Sequence, residues 1–251
     1  TLSHRPEGTV QMVSPTGIDD LRRDVFADFH RTHRGSHARL PWWVEFASGQ
    51  WSYEHQEPDR RRRSAIHRDP DGRPDGVVSY EVTESFGATI AVKDMITVNT
   101  EAELALWEFL AAIDLVTKIT ATKTNPTTPL PWALRDPRVV RFTGNGDLTW
   151  LRILDVLKAL SVRGWDHTGA VTLHVTDPMN WCTGTYRISV DEPGSPAQVS
   201  RSDDTDGPTI DIASLGSLYF GTVRATTLAG AGRLRGISDE IRAVNRLFAT
   251  D

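Results

Sequence analysis

The segment RRSAIHRDPDGRPDGVVSYEV, residues 62–82, constrains the fold more than any other. Two runs rich in β-branched residues, around Ser64 to Arg68 and from Val77 to Val82, flank a turn made of Asp, Gly and Pro, which together specify a hairpin. A chain with a hairpin here must build an antiparallel sheet and cover it. The neighbouring segments supply the cover. TIAVKDMITV alternates as a further strand, and TEAELALWEFLAAIDL follows as a helix, with Thr100 and Glu103 in capping-box spacing. VTKITATKT is β-branched enough for another strand, and the Pro-rich NPTTPLPWALRDPR is loop with at most one helical turn. Upstream, Val10 to Val13 reads as a first strand. In GIDDLRRDVFADFHR, residues Ile18, Leu21, Val25, Phe26 and Phe29 fall at helical spacing, and that helix stops near Gly35.

Composition turns towards loop residues around TGNGDLT, so the expected division is residues 1–144 and 145–251. In the second part WLRILDVLKALSVRG reads as a short strand feeding a helix. AVTLHVTD, GTYRISV and AQVSRS read as meandering strands, and PTIDIASLGSLYFG as a strand turning into a helix. RATTLAGAGRL and SDEIRAVNRLFA read as terminal helices, the latter capped by Ser238. The fold class is α+β throughout, a mixed sheet with helices followed by a smaller α+β lobe.

Charge and cysteine content narrow the function classes. The 251 residues carry a formal net charge of −5, so no whole-chain basic field draws nucleic acid. One cysteine, Cys182, cannot build a disulfide framework, which fits a reducing, cytoplasmic setting. No apolar run approaches the roughly 20 residues that span a bilayer, and no membrane partner is expected. The chain opens at Thr1 on linker-like residues, which leads to the expectation that it is a piece of a longer protein.

Four local patterns carry possible chemistry. His30, His33 and His37 stand at i, i+3 and i+7, where imidazoles on one helix face can share a metal. Gly35 and the surrounding arginines oppose that reading and favour solvated or pocket-lining histidines, so no metal is expected. Arg60 to Arg63 is a run of the kind that grips phosphate groups, but Glu54, Glu57 and Asp59 precede it at once and no aromatics interleave it, which favours a solvated loop or strand edge. Gly230, Gly232 and Gly236 fall within a helical stretch and suit close packing or a helix break better than a phosphate cradle. Cys182, with His174 on a preceding strand, has no orienting third group and reads as a small buried residue.

Longer stretches carry a resemblance. DLTWLRILDVLKALSVRGW and LGSLYFGTVRATTLAGAGRLRG resemble the C-terminal region of the enhanced intracellular survival (Eis) acetyltransferases in order and spacing. ALWEFLAAIDLVTKITATKTNPTTPLPWALRDPRVV is similar to a further segment of the same family. The resemblance implies a second lobe of the GCN5-related N-acetyltransferase (GNAT) fold lacking a cofactor site over residues 1–144, then a lobe like sterol carrier protein. It implies that the acetyl-CoA-binding lobe lies outside this chain, and that the R/Q-x-x-G-x-G/A turn, the family's acid tyrosine and its terminal carboxylate base are not identifiable here. Asp251 is accordingly given no base role, and no catalytic or cofactor-binding residue is assigned. The implied reaction is acetyl transfer to a primary amine, such as an aminoglycoside or other polyamine, in a broad, acidic and aromatic pocket. The implied assembly is a homo-oligomer, a hexamer in the family. Phe29 falls at an aromatic pocket position of the family and His33 lies one turn on, so both are expected to contact substrate, with a core role for Phe29 equally open. A lipid carrier and a noncatalytic assembly module are the alternatives.

Overall fold

A computed structural model describes residues 1–14, 17–33, 35–52, 57–83, 87–147 and 149–250, in two compact units, residues 1–146 and 147–251. In the first unit, β1 (Thr9–Val13), β2 (Arg62–Arg68), β3 (Pro74–Thr83), β4 (Ala88–Thr97) and β5 (Val116–Ala121) lie side by side in that order. All neighbours are antiparallel except β4 and β5, which run parallel. Antiparallel neighbours need only tight turns, whereas a parallel pair requires a crossover. Here the crossover is α3 (Thr100–Ala111).

The two sheet faces are covered by different helices. Val78, Tyr80, Ile90 and Val92 pack with Leu106 and Leu110 of α3. Val77 and Ile96 pack with Ile18 and Val25, the latter on α1 (Asp19–Thr32). A short α2 (Pro41–Ser48) follows, with Pro41 at its first position, where the missing N–H costs nothing. Sequence patterning does not show α2, because Leu40–Pro41–Trp42–Trp43 reads as loop until its apolar residues find the helix beside them. The Pro-rich stretch forms a single turn, α4 (Leu130–Ala133), and a 3₁₀ turn over Pro137–Val139.

One irregularity rearranges the middle of the sheet. Ser79 faces Asp94 and Tyr80 faces Val92, so Lys93 is a bulge that opposes no residue of β3. Side chains alternate across a strand, and one extra residue inverts the alternation beyond it. Ile90 and Val92 therefore lie with α3, while Asp94 and Ile96 lie on the α1 side with Ser79.

The second unit has a sheet in the order β10-β9-β6-β7-β8. Its strands are β6 (Gly169–Thr176), β7 (Gly184–Val190), β8 (Gln198–Arg201), β9 (Thr209–Asp211) and β10 (Leu234–Arg235). Its helices are α5 (Val156–Ser161), α6 (Ile212–Tyr219), α7 (Ala225–Gly230) and α8 (Ser238–Phe248). Trp165 is fully buried against Phe248, edge to face at 4.9 Å, and its indole N–H donates to the Leu160 carbonyl. Arg163 donates to the carbonyls of Tyr219 and Phe248, tying α5 to the ends of α6 and α8. A core filled by a tryptophan and a phenylalanine in contact rests on large apolar area and specific ring geometry.

Three expectations of local structure are corrected. Among the described residues of the segment just before α5 none lies in a strand, and α5 starts at the Asp155 cap, whose carboxylate accepts from Lys158 N–H. The α3 cap is Asn99, not Thr100, because Asn99 Oδ1 takes the Ala102 N–H at 2.8 Å. The residue at the cap of α8 is Ile237, not Ser238, with the Glu240 carboxylate accepting the Ile237 N–H at 2.9 Å. In α3 the cap side chain accepts the N–H three residues on, and in α8 the side chain three residues on accepts the cap N–H, each one position earlier than the pattern suggests.

Candidate functional site on the first unit

The candidate site is the outer surface of α1 and α2. Its anchor is Arg22, 1% exposed, whose guanidinium binds Asp94 and donates to Ser79 Oγ at 2.5 Å. Ser79 Oγ in turn lies 2.8 Å from Ser64 Oγ on the adjacent strand. A guanidinium this deep is tolerable only where a carboxylate meets it. Burial pushes Arg22 below its ordinary pKa, with Asp94 opposing the shift. Arg39 completes the arrangement by gripping the same carboxylate with two N–H groups, each at 3.0 Å. Its guanidinium lies 4.7 Å from the Phe26 ring centre and 5.8 Å from that of Trp43. Arg22, Arg23, Phe26, Arg39, Pro41 and Val44 line a cleft of about 260 Å³.

Phe29 and His33 stand on the same helix. Phe29 is half-buried, one part packing with Val77 and Ile96, and its ring stacks on His33 at 3.9 Å between centres. His33 is exposed and its Nδ1 lies 3.0 Å from the Phe29 carbonyl. The structure therefore brings Phe29 and His33 together as a flat pair, with Phe29 also serving the core. Neither lines the 260 Å³ cleft.

The three histidines do not share a helix face. α1 ends at Thr32, His33 is already extended at φ −106° and ψ 108°, and Gly35 turns the chain at φ +82°. His30 Nδ1 is 2.9 Å from Ser36 Oγ. Among the described residues, no three side chains able to ligate a metal come together. In the second unit, Cys182 is 2% exposed with its thiol directed to the Ile153 carbonyl at 3.5 Å. Burial raises its pKa and the Asp177 charge adds to that, which is opposite to the activation a nucleophile needs.

An expectation of an acidic pocket is not met on this face. Asp94 is already held by two arginines, because the bulge at Lys93 puts it on the α1 face of the sheet and not on the α3 face, and three arginines line the cleft. Sequence reasoning also missed the Arg22–Asp94–Arg39 group. The available signal was an arginine at a core position of α1, between Ile18 and Val25.

A diphosphate of acetyl-CoA sits well at the start of a helix with free amides. The start of α3, after β4, is occupied by the chain itself. Asn99 caps Ala102 N–H, Asn99 Nδ2 donates to Asp75 at 2.8 Å, and Glu101 accepts the Glu7 N–H at 3.2 Å. Glu101 and Glu103 in the first turn repel an anion, so these residues do not fit a diphosphate.

The chain is similar to known proteins along most of its length. A family model described as an acetyltransferase (GNAT) domain matches residues 35–153, and one described as a sterol carrier protein domain matches residues 156–251. An N-acetyltransferase of Streptomyces avermitilis is 31% identical over 234 residues, covering 91% of this chain and 55% of that protein. N-acetyltransferase Eis of Mycobacterium tuberculosis is 34% identical over 197 residues, covering 77% of this chain and 46% of its own length. The crystal structure of Eis1 from Mycobacterium abscessus superposes with a TM-score of 0.79 at 28% identity, over 100% of this chain and 62% of that one. The chain spans about half the length of the curated relatives it matches. These matches correct one expectation. An acetyltransferase domain lies within the chain, so neither the reading of C-terminal lobes alone nor the placing of acetyl-CoA binding in a lobe outside it stands. The chain carries a GNAT acetyltransferase domain followed by a sterol carrier protein domain, and its homologues are N-acetyltransferases of the Eis and GNAT type.

Proposed function

We propose that this chain is part of an Eis-like N-acetyltransferase that moves the acetyl group of acetyl-CoA to a primary amine, with Phe29 and His33 contacting the acceptor. The similarity to N-acetyltransferases supports the reaction class. The single observation that carries the acceptor contact is the stack of Phe29 and His33 at 3.9 Å, which presents a flat aromatic surface at the end of α1. Such a surface binds the apolar faces of a ring-bearing amine, and a cation beside a ring gains further attraction.

The cleft beside it does not attract cations, because its arginines outnumber its acids. The acceptor is therefore an amine of modest charge, held by stacking, and not a polycation held by carboxylates. Assembly as a homo-oligomer belongs to the same proposal and is read by light scattering. The test of function is mass detection of acetylated product when the protein is incubated with acetyl-CoA and a panel of mono-, di- and polyamines. Monoamines bearing a ring should be acetylated best, with Phe29→Ala raising KM for them. Absence of any acetylated amine across the panel would sink the proposal. A polyamine preference unaffected by Phe29→Ala would remove the role given to the stack.

A further inference from the structure

The arginine run singled out in the sequence belongs to no part of the face described above. Gly49, Gln50, Pro58, Asp59, Arg60, Arg62, Arg63 and Val13 enclose a separate cleft of about 560 Å³, between the end of α2, the end of β1 and the start of β2. We propose that this cleft binds the phosphate group of a small phosphorylated molecule, as a dianion or a diphosphate.

The charges around it are unevenly matched. Asp59 is bound by Arg61, through its backbone N–H at 3.0 Å and its Nε at 3.3 Å, and Arg62 Nη2 lies 3.7 Å away. Burial alone would raise the Asp59 pKa, but hydrogen bonds from the Arg61 backbone, with the Glu81 carboxyl and from the Arg61 side chain hold it below the ordinary carboxylate value. Glu81 is bound by Arg62 at 3.0 Å and by Lys93 at 2.9 Å. The two acids that Arg62 touches are thus already paired, and exposed Glu57 is the third acid described beside the run. Arg60 and Arg63, both exposed, have no carboxylate partner among the described residues, and Arg63 only reaches back to the carbonyls of Arg60 and Arg62. The surplus is positive and local, although the chain as a whole is acidic.

Arg62 gives the independent observation. It lines the cleft while only 7% exposed, and its Nε–H is buried with no acceptor among the described residues, although its Nη groups meet the Ala47 carbonyl and Glu81. A buried donor left without a partner is a cost that folded proteins rarely leave standing. Backbone geometry holds the arginine in place. Gly49 turns α2 off at φ +82°, and a Cβ there would come within 2.5 Å of Arg62 Cβ. Asp59 N–H returns to the Gly49 carbonyl at 2.8 Å, closing the loop beneath the run. A monocarboxylate would satisfy one guanidinium, whereas the two guanidiniums of Arg60 and Arg63, which lack a carboxylate among the described residues, suit an oxyanion carrying two charges or more.

The proposal is tested by calorimetric titration of the protein with sodium pyrophosphate, with inorganic phosphate and citrate in parallel, and with ADP as a phosphorylated molecule of larger size. Pyrophosphate and ADP should bind and raise Tm, and raised salt should weaken both. Arg60→Ala with Arg63→Ala should weaken binding at least about tenfold, with Tm in the absence of ligand near that of the parent. Arg62→Ala is a poor probe because it strands two acids. Arg138→Ala, an exposed arginine outside the cleft, should leave binding unchanged. Absence of heat and of any Tm shift with pyrophosphate and ADP would overturn the proposal. So would equal binding by the Arg60/Arg63 double variant, or citrate binding as tightly as pyrophosphate.

Discussion

Arg39 meets Asp94 with two parallel hydrogen bonds, Nη1 to Oδ2 and Nη2 to Oδ1, both 3.0 Å long. The same carboxylate also holds the fully buried Arg22. One acid thus pairs with two cations from different segments, and it fixes the chain after α1 to the sheet. Asp94→Ala leaves Arg22 buried without a counter-charge, and that costs about 3–5 kcal/mol. The expected outcome is a large fall in the denaturant midpoint. Arg39→Ala, at the less buried end, should cost clearly less.

His67 gives a pH dependence with a definite sign. Its Nδ1 lies 2.5 Å from Asp75 Oδ1 and its Nε2 lies 2.9 Å from the Glu7 carbonyl. A carbonyl and a carboxylate both accept, so the imidazole donates from both nitrogens as the cation. Burial opposes that charge, but the bonds to Asp75 and Glu7 outweigh it and raise the pKa. A raised pKa contributes stability that is complete below the unfolded value of about 6.5 and is lost as pH climbs through the higher folded value. Stability measured by urea titration should therefore decline on going from slightly acid to alkaline pH, and His67→Gln should flatten that decline.

The contact between Gly8 and His67 supports the same clasp. Gly8 has φ +87°, and an added Cβ would fall 2.3 Å from the Arg68 carbonyl and 2.6 Å from His67 Nε2. Gly8→Ala should destabilise the first unit by about 1 kcal/mol or more, since both the left-handed backbone and the close approach demand glycine. Faster exchange of the β1 amides with deuterated solvent would report it.

Cys182 should be inert while the protein is folded. Its thiol is buried and its pKa is raised, so little thiolate forms near neutral pH. A thiol reagent should react slowly with native protein and at once in denaturant. Rapid labelling of native protein would contradict the packing around Ile153.

Much of this architecture was legible in the sequence, and particular residues show why. The hairpin of β2 and β3 follows from its turn residues and flanking β-branched runs, and α1 from Ile18, Leu21 and Val25 at helical spacing. These are local preferences, set within a few residues of chain. The positions of Phe29 and His33 on and just after α1 follow in the same way, whereas their stacking does not. α2 was not legible because its helix is held by neighbours more than by its own pattern.

The sequence by itself determines the strands of the first sheet, the helices α1 and α3, the hairpin and the arginine run. Only the tertiary structure decides where Asp94 points. Read as a simple alternating strand, TIAVKDMITV puts Ile90, Val92, Asp94 and Ile96 on one face. The bulge at Lys93 divides them between the two faces and delivers Asp94 to Arg22 and Arg39. A bulge is a property of two paired strands, and the arginines that reward it come from 72 and 55 residues away. No window of sequence contains both, so the charge pairing that shapes the candidate face exists only once the sheet has formed.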